Sequence, residues 1–191
     1  ESENRYASPE EQKILAAYTG WGGLTSAFDE NNDKWQNEYA LLKNTLSESE
    51  YTAARSSVLD SFYTPPVVID SIYAALSHFG FTSGNILEPS AGIGNFLGKM
   101  PVSMSEKSNI YATEIESISG RIAQLLYPGA DIQITGFERS AYPDGFFDVA
   151  IGNIPFGSFK IPDSRYDKYN FSVHDYFFAK TLDKVRPGGI I

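Results

Sequence analysis

From Thr64 onward the chain alternates short apolar runs with helical stretches, and no other feature restricts its fold as much. Residues 85–88 (NILE), 110–114 (IYATE), 132–135 (IQIT) and 147–152 (FDVAIG) read as strands, and another strand begins at 189–191. Residues 96–100, 118–127 and 172–185 read as the helices between them. Parallel neighbours in a sheet need a crossover, usually a helix, so this alternation predicts an α/β fold with a mostly parallel sheet. FDVAIG is expected to be buried on both faces. Ahead of the first strand, Thr64-Pro65-Pro66 predicts a helix start, with Val67, Val68, Ile72 and Leu76 as the apolar face.

The first 60 residues lack this alternation. Ser8-Pro9-Glu10-Glu11 combines an N-cap, a proline at the first helical position and a glutamate three residues after the cap. Ile14, Leu15 and Tyr18 follow at helical spacing, and Gly20-Trp21-Gly22-Gly23 breaks the helix. Ser47-Glu48-Ser49-Glu50 is a second capping box, opening a helix through about Val58. We expect a helical extension over 1–61 and the α/β domain over 62–191. Trp21 and Trp35 are expected to pack between helices.

Composition removes whole classes. There is no cysteine, hence no disulfide scaffold and no thiolate metal site, and His78 and His174 are too few for a metal centre. No apolar run approaches the roughly 18 to 20 residues of a membrane helix, so no membrane partner and a cytoplasmic location are expected. A net charge of -9 argues against unaided nucleic-acid binding, because phosphate contacts need Lys and Arg. Residues 157–191 are the exception, mildly basic with six basic and four acidic side chains. Within them, the aromatic and basic stretch 159–171 can be read as a substrate-contacting loop or as a solvated one.

Three segments carry chemistry. Glu88-Pro89-Ser90-Ala91-Gly92-Ile93-Gly94-Asn95-Phe96 lies between the first strand and a helix, where small residues let a ligand approach the backbone. In doubly wound sheets nucleotides bind at this place. The segment is neither GxGxxG nor a Walker loop, and its leading acid suits a cationic or hydroxyl-rich ligand better than a pyrophosphate. By itself it also reads as an ordinary strand-to-helix turn. Glu114 ends the second strand 26 positions after Glu88, where an acid can hold a ribose hydroxyl pair or stand as a solvated strand-end carboxylate. Asn153-Ile154-Pro155-Phe156 follows FDVAIG. Its amide and the next backbone carbonyl can accept from an exocyclic amine, and its ring can stack on a heterocycle. A plain turn with a buried Phe is the other reading.

In this order the three segments resemble the class I S-adenosylmethionine-dependent methyltransferases. Asn153-Ile154-Pro155-Phe156 is similar to the Asp/Asn/Ser-Pro-Pro-aromatic motif of members that methylate exocyclic amines. Phe62-Tyr63-Thr64-Pro65 resembles that family's aromatic-aromatic-Thr-Pro motif, placed upstream of the glycine loop as in the gamma-type adenine-N(6) DNA methyltransferases. A narrower likeness is to the methylase region of large helicase–methylase proteins of conjugative elements and phages. It rests on Gly20-Trp21-Gly22-Gly23-Leu24, Gly152-Asn153-Ile154-Pro155-Phe156-Gly157, and His174-Asp175-Tyr176-Phe177-Phe178 before Arg186-Pro187-Gly188-Gly189.

The resemblance implies a Rossmann-like sheet truncated after the start of strand five, S-adenosylmethionine as cofactor and adenine in DNA as substrate. It implies a fragment of a longer protein, with DNA contacts mostly outside this chain and possession of a helicase module in the same polypeptide. It assigns Asn153, Ile154, Pro155 and Phe156 to the target amine and its base. Tyr63, Thr64 and Pro65 would line the methionine end of the cofactor. Glu88, Pro89, Ser90, Ala91, Gly92, Gly94 and Phe96 would form the loop that holds it. Glu114 and Ile115 would take the ribose, and Phe137 with Glu138 the cofactor adenine. Ile154 departs from the family's proline, which keeps the carbonyl and frees one φ. Two other functions stay open: methylation of glutamine amides in translation factors, and a cofactor-binding or structural module without catalysis.

Overall fold

The computed structural model describes residues 5–58 and 63–191. Phe62 and the expected boundary at 61/62 lie outside the described residues.

The N-terminal part folds as its caps dictate. Helix α1 (Pro9–Ala16) starts at Ser8, whose side chain accepts from the Glu11 amide while the Glu11 carboxylate accepts from the Ser8 amide. Helices α2 (Gln36–Thr45) and α3 (Glu48–Ser57) follow, the second opened by the matching Ser47–Glu50 box. A cap of this kind stabilises a helix by about 1 kcal/mol. Phe28, Tyr51, Ala54 and Val58 form a small core of their own, and Trp21 and Trp35 pack against it. The α2 helix has no side-chain cap, which is why no start signal marks it in the sequence.

The remainder is a parallel sheet with helices on both faces. Its strands are β1 (Asn85–Glu88), β2 (Asn109–Glu114), β3 (Asp131–Ile134), β4 (Phe147–Ala150) and β5 (Val185–Ile190), in the order β3-β2-β1-β4-β5. Every pairing is parallel. Alternate residues of β1 and β4 face opposite layers. Leu87 and Phe147 pack toward helix α8 (Val173–Lys184), with Tyr176 and Phe177. Ile86 and Val149 pack toward helices α4 (Pro66–His78) and α5 (Asn95–Lys99), with Ile69, Tyr73 and Phe96. A short helix α6 (Val102–Ser105) and helix α7 (Ser117–Leu126) complete the crossovers. Both α1 and α3 pack on α7, where Glu50 and Arg121 pair. The chain order reverses between β1 and β4, which opens a crevice at their carboxyl ends.

Two details differ from the sequence reading. The inward face of α4 is Ile69, Tyr73 and Leu76 with Ile72 at its edge; Val67 is 70% exposed and Val68 is also exposed. Ile69, Ile72, Tyr73 and Leu76 share one 3.6-residue stripe, whereas the two valines of the first turn point away from it. In addition, β5 begins at Val185, not Gly189, and runs through Pro187. Pro187 falls between the paired residues Val185 and Ile190, where the register shift opposite Phe147 and Val149 marks a bulge that tolerates a residue without an amide hydrogen. The Asp148–Arg186 ion pair, at 2.6 Å, ties this edge to β4.

Candidate functional site

The glycine loop is held from three sides. The Ala91 amide donates to the Thr113 carbonyl at 2.9 Å, and the Thr113 hydroxyl donates to the Pro89 carbonyl at 2.6 Å. The Ser90 hydroxyl donates to the backbone carbonyl of Asn153 at 2.9 Å, so the loop and the Asn153 turn are bonded directly. Gly92 has φ +58°, and a Cβ there would lie 2.8 Å from the Tyr63 ring. No other residue type fits both the left-handed backbone and that contact. Burial pushes the Tyr63 hydroxyl up to about 12.

Glu114 closes the loop. One oxygen accepts from the Gly92 amide and the other from the Glu116 amide, each at 2.7 Å. Burial raises its pKa, and those two amides oppose the rise. Glu88 is the more extreme group. It is 1% exposed, and its Oε2 has no hydrogen-bond partner among the described residues. Burial first, then the nearby Glu114 charge, push its pKa well above the usual carboxylate range. A buried carboxyl without a counter-charge favours the neutral form.

These groups surround a cavity of about 520 Å³. Of the residues singled out in the sequence, Tyr63, Thr64, Glu88, Pro89, Ser90, Ala91, Gly92, Phe96, Glu114, Ile115, Phe137, Glu138, Asn153 and Pro155 line it. Pro65, Gly94, Ile154 and Phe156 do not. Gly94 caps α5 instead, in a left-handed conformation. The Ile154 side chain packs against the core under α8. Phe156 points outward, 57% exposed, with its ring centroid 5.0 Å from that of His174. Phe137 is buried, packed on Phe177 with the Lys180 ammonium 5.3 Å from its ring centre.

Other wall residues lie outside the site that the resemblance assigns. Ala53, Ser56 and Ser57 come from α3, Glu116 and Ser119 from the start of α7, and Phe159 to Pro162 from the loop after the Asn153 turn. Glu116 caps α7 by accepting from the Ile118 and Ser119 amides. The aromatic and basic character of 159–171 was the one sequence signal for the loop; nothing local marks α3 as cavity wall. Among the described residues no cluster of His, Asp or Glu is arranged to hold a metal, and no helix is long and apolar enough to cross a membrane.

The fold resembles that of a solved structure. A Listeria monocytogenes protein classed as an S-adenosylmethionine-dependent methyltransferase of class I superposes with a TM-score of 0.56 at 16% identity, over 92% of this chain and 64% of that one. The chain has the class I methyltransferase fold. No family model matches this methyltransferase-fold chain. Among curated proteins it is 35% identical, over 187 residues, to the defense against restriction protein B of Escherichia phage P1. That match spans 95% of this chain and 7% of the phage protein. It is 27% identical over 110 residues to the modification methylase CviBIII of Paramecium bursaria Chlorella virus NC1A, spanning 57% of this chain and 29% of that enzyme. The methyltransferase-fold chain thus spans less than a third of either curated relative.

Proposed function

We propose that the chain binds S-adenosylmethionine in this cavity and directs its methyl group to the 6-amino group of an adenine turned out of DNA. The observation that carries this reading is continuity: the glycine loop, Glu114 and the Asn153–Pro155 turn line one space. The similarity to a modification methylase supports a DNA target. We propose further that the chain acts within a longer polypeptide that supplies target recognition and a helicase module.

The lining fits the cofactor's chemistry. Glu88 Oε2 is a buried acceptor with no partner among the described residues, suited to an ammonium group. Each Glu114 oxygen accepts one amide and has acceptor capacity left for ribose hydroxyls. When bound, the cofactor supplies a methyl group already activated by a sulfonium. The chain's own residues position the acceptor. The Asn153 side-chain oxygen and the Ile154 carbonyl would accept the two amine hydrogens and aim the nitrogen lone pair. They would also stabilise the positive charge that develops there. Alignment of this kind contributes several kcal/mol, against a few kcal/mol for extruding the base. Ile154 lacks the φ restriction of a proline, and the packing of its side chain in the core supplies rigidity in its place. Phe156 would leave His174 to stack on the base.

The test is transfer from labelled S-adenosylmethionine to unmethylated DNA and to a translation factor in parallel, using the longer polypeptide. The expected product is N(6)-methyladenine, abolished by Asn153→Ala while cofactor binding persists. Label on the factor alone would select the glutamine-amide reading. Cofactor binding with no transfer to either would leave a binding or structural module.

A further inference from the structure

We infer that the tip of the loop between the Asn153 turn and α8 is a binding surface for unpaired DNA, gripping the strand beside the base presented to the cavity. The inference rests on the DNA reading above.

The loop has a rigid base. Tyr166 is buried, and its hydroxyl donates to Asp183 at 2.6 Å. Asp163 accepts from Tyr176 and from the buried Lys180, at 2.8 and 3.0 Å. Arg165 bridges Asp144 and Asp183, at 2.6 and 2.7 Å. These anchors hold the base of the loop without using the exposed side chains of its tip.

Those outward residues are aromatic and basic. Phe159 is 44% exposed and Tyr169 is 56% exposed. Tyr169 stacks on Phe171 with 18° between the ring planes, and the Lys168 ammonium lies 4.8 Å from the Tyr169 ring centre. Lys160 donates to the Asn170 side chain, which brings the two halves of the tip together. Single exposed rings are ordinary, but a cluster of them beside a cavity is not. Phe159 and Lys160 also line the cavity, so the tip stands at its rim.

Charge selects the partner. Among the described residues, every other basic side chain from 157 to 191 pairs with a carboxylate: Arg165, Lys180, Lys184 and Arg186. Lys160 and Lys168 have no such pair, and these two positive charges are kept uncompensated on a chain of net charge -9. Flat rings with adjacent lysines fit bases and phosphates of a single strand, where each base offers a face to stack on. A duplex's bases stack on one another and leave no free face for these exposed rings.

The experiment measures binding of a short single-stranded oligodeoxynucleotide, its duplex and a 5-iododeoxyuridine version for photo-crosslinking, all without cofactor. The expected result is single-strand binding stronger than duplex binding, with crosslinks mapping to Phe159 or Tyr169. Phe159→Ala and Tyr169→Ala should each weaken it by about tenfold. Lys160→Gln with Lys168→Gln should flatten the slope of log K against log salt by about 1.4, two phosphate contacts. Lys34→Gln with Lys107→Gln, the same charge change away from the tip, should leave it unmoved. Absence of single-strand binding, or binding that survives both ring substitutions, overturns the inference. Ring-dependent binding without any methyl transfer would uphold this surface and remove the catalytic reading. Methyl transfer indifferent to the rings would do the reverse.

Discussion

Glu88→Gln should reshape the pH dependence of stability, and the structure gives both sign and slope. Glu88 is 1% exposed, its Oε2 has no partner among the described residues, and Glu114 is the charge that faces it. The hydroxyls of Tyr73 and Tyr127 are its other titratable neighbours, and neither is charged near neutrality. Its folded-state pKa is raised above 4.5, so the folded protein holds a proton that the unfolded chain releases. The contribution is therefore complete below 4.5 and is lost as pH rises toward the raised value. In that window each pH unit costs a factor of ten in the folding equilibrium. The variant cannot ionise and loses this term, while every other group, Glu114 included, titrates in both proteins. Denaturant unfolding at matched pH values stepped upward from about 5 reads the difference. Wild type should lose ground to the variant as pH rises, by up to tenfold per unit while pH stays below the raised value. A difference that stays flat across that range would refute the reasoning and make Glu88 an ordinary carboxylate. Saturating S-adenosylmethionine should reverse the trend in wild type, because a cation beside Glu88 favours its ionised form.

The backbone of the glycine loop offers a second test. Gly92→Ala should cost about 1–2 kcal/mol for the left-handed backbone and abolish cofactor binding by calorimetry, since Tyr63 must move. Loss of stability with unchanged binding would place the cofactor elsewhere. Ion pairs should divide by burial. Lys180→Met leaves the Asp163 charge enclosed and should cost about 3–5 kcal/mol. Arg5→Ala removes an exposed pair with Glu11 and should shift the midpoint of thermal unfolding barely at all.

The parallel α/β class was legible because parallel strands must alternate with crossovers, and β1 came out at Asn85–Glu88 as read. The start of β5 was misread because Arg186-Pro187-Gly188-Gly189 carries turn residues, and only the pairing of Val185 and Ile190 with β4 makes them a bulged stretch of strand. The face of α4 was misread because Val67 and Val68 are apolar wherever they point, and the register is decided by the phase of Ile69, Tyr73 and Leu76. In the site, Gly92 and Glu114 could be paired by order along the chain. Their bond, from the Gly92 amide to the Glu114 carboxylate, could not, because it depends on the twist that brings β1 and β2 level. Phe156 shows the same limit. Its type suits stacking, yet its ring lies against His174, a neighbour 18 positions on.

The N-terminal helices show most sharply why a site cannot be bounded by its motifs. Read alone, residues 9–58 are capped helices around a small aromatic core, which is a sufficient reason for them to exist. In the fold, α3 lies on α7, the helix that Glu116 opens directly after Glu114. Ala53, Ser56 and Ser57 then line the same cavity as the glycine loop. Small side chains on that face leave room that a larger residue would fill. The same helix meets α7 through the Glu50–Arg121 pair, so its distance from Glu114 is set by packing and charge together. A helical extension built this way is part of the cavity wall. A shift of α3 along α7 would change the cavity's volume without altering any residue of the glycine loop or the Asn153 turn.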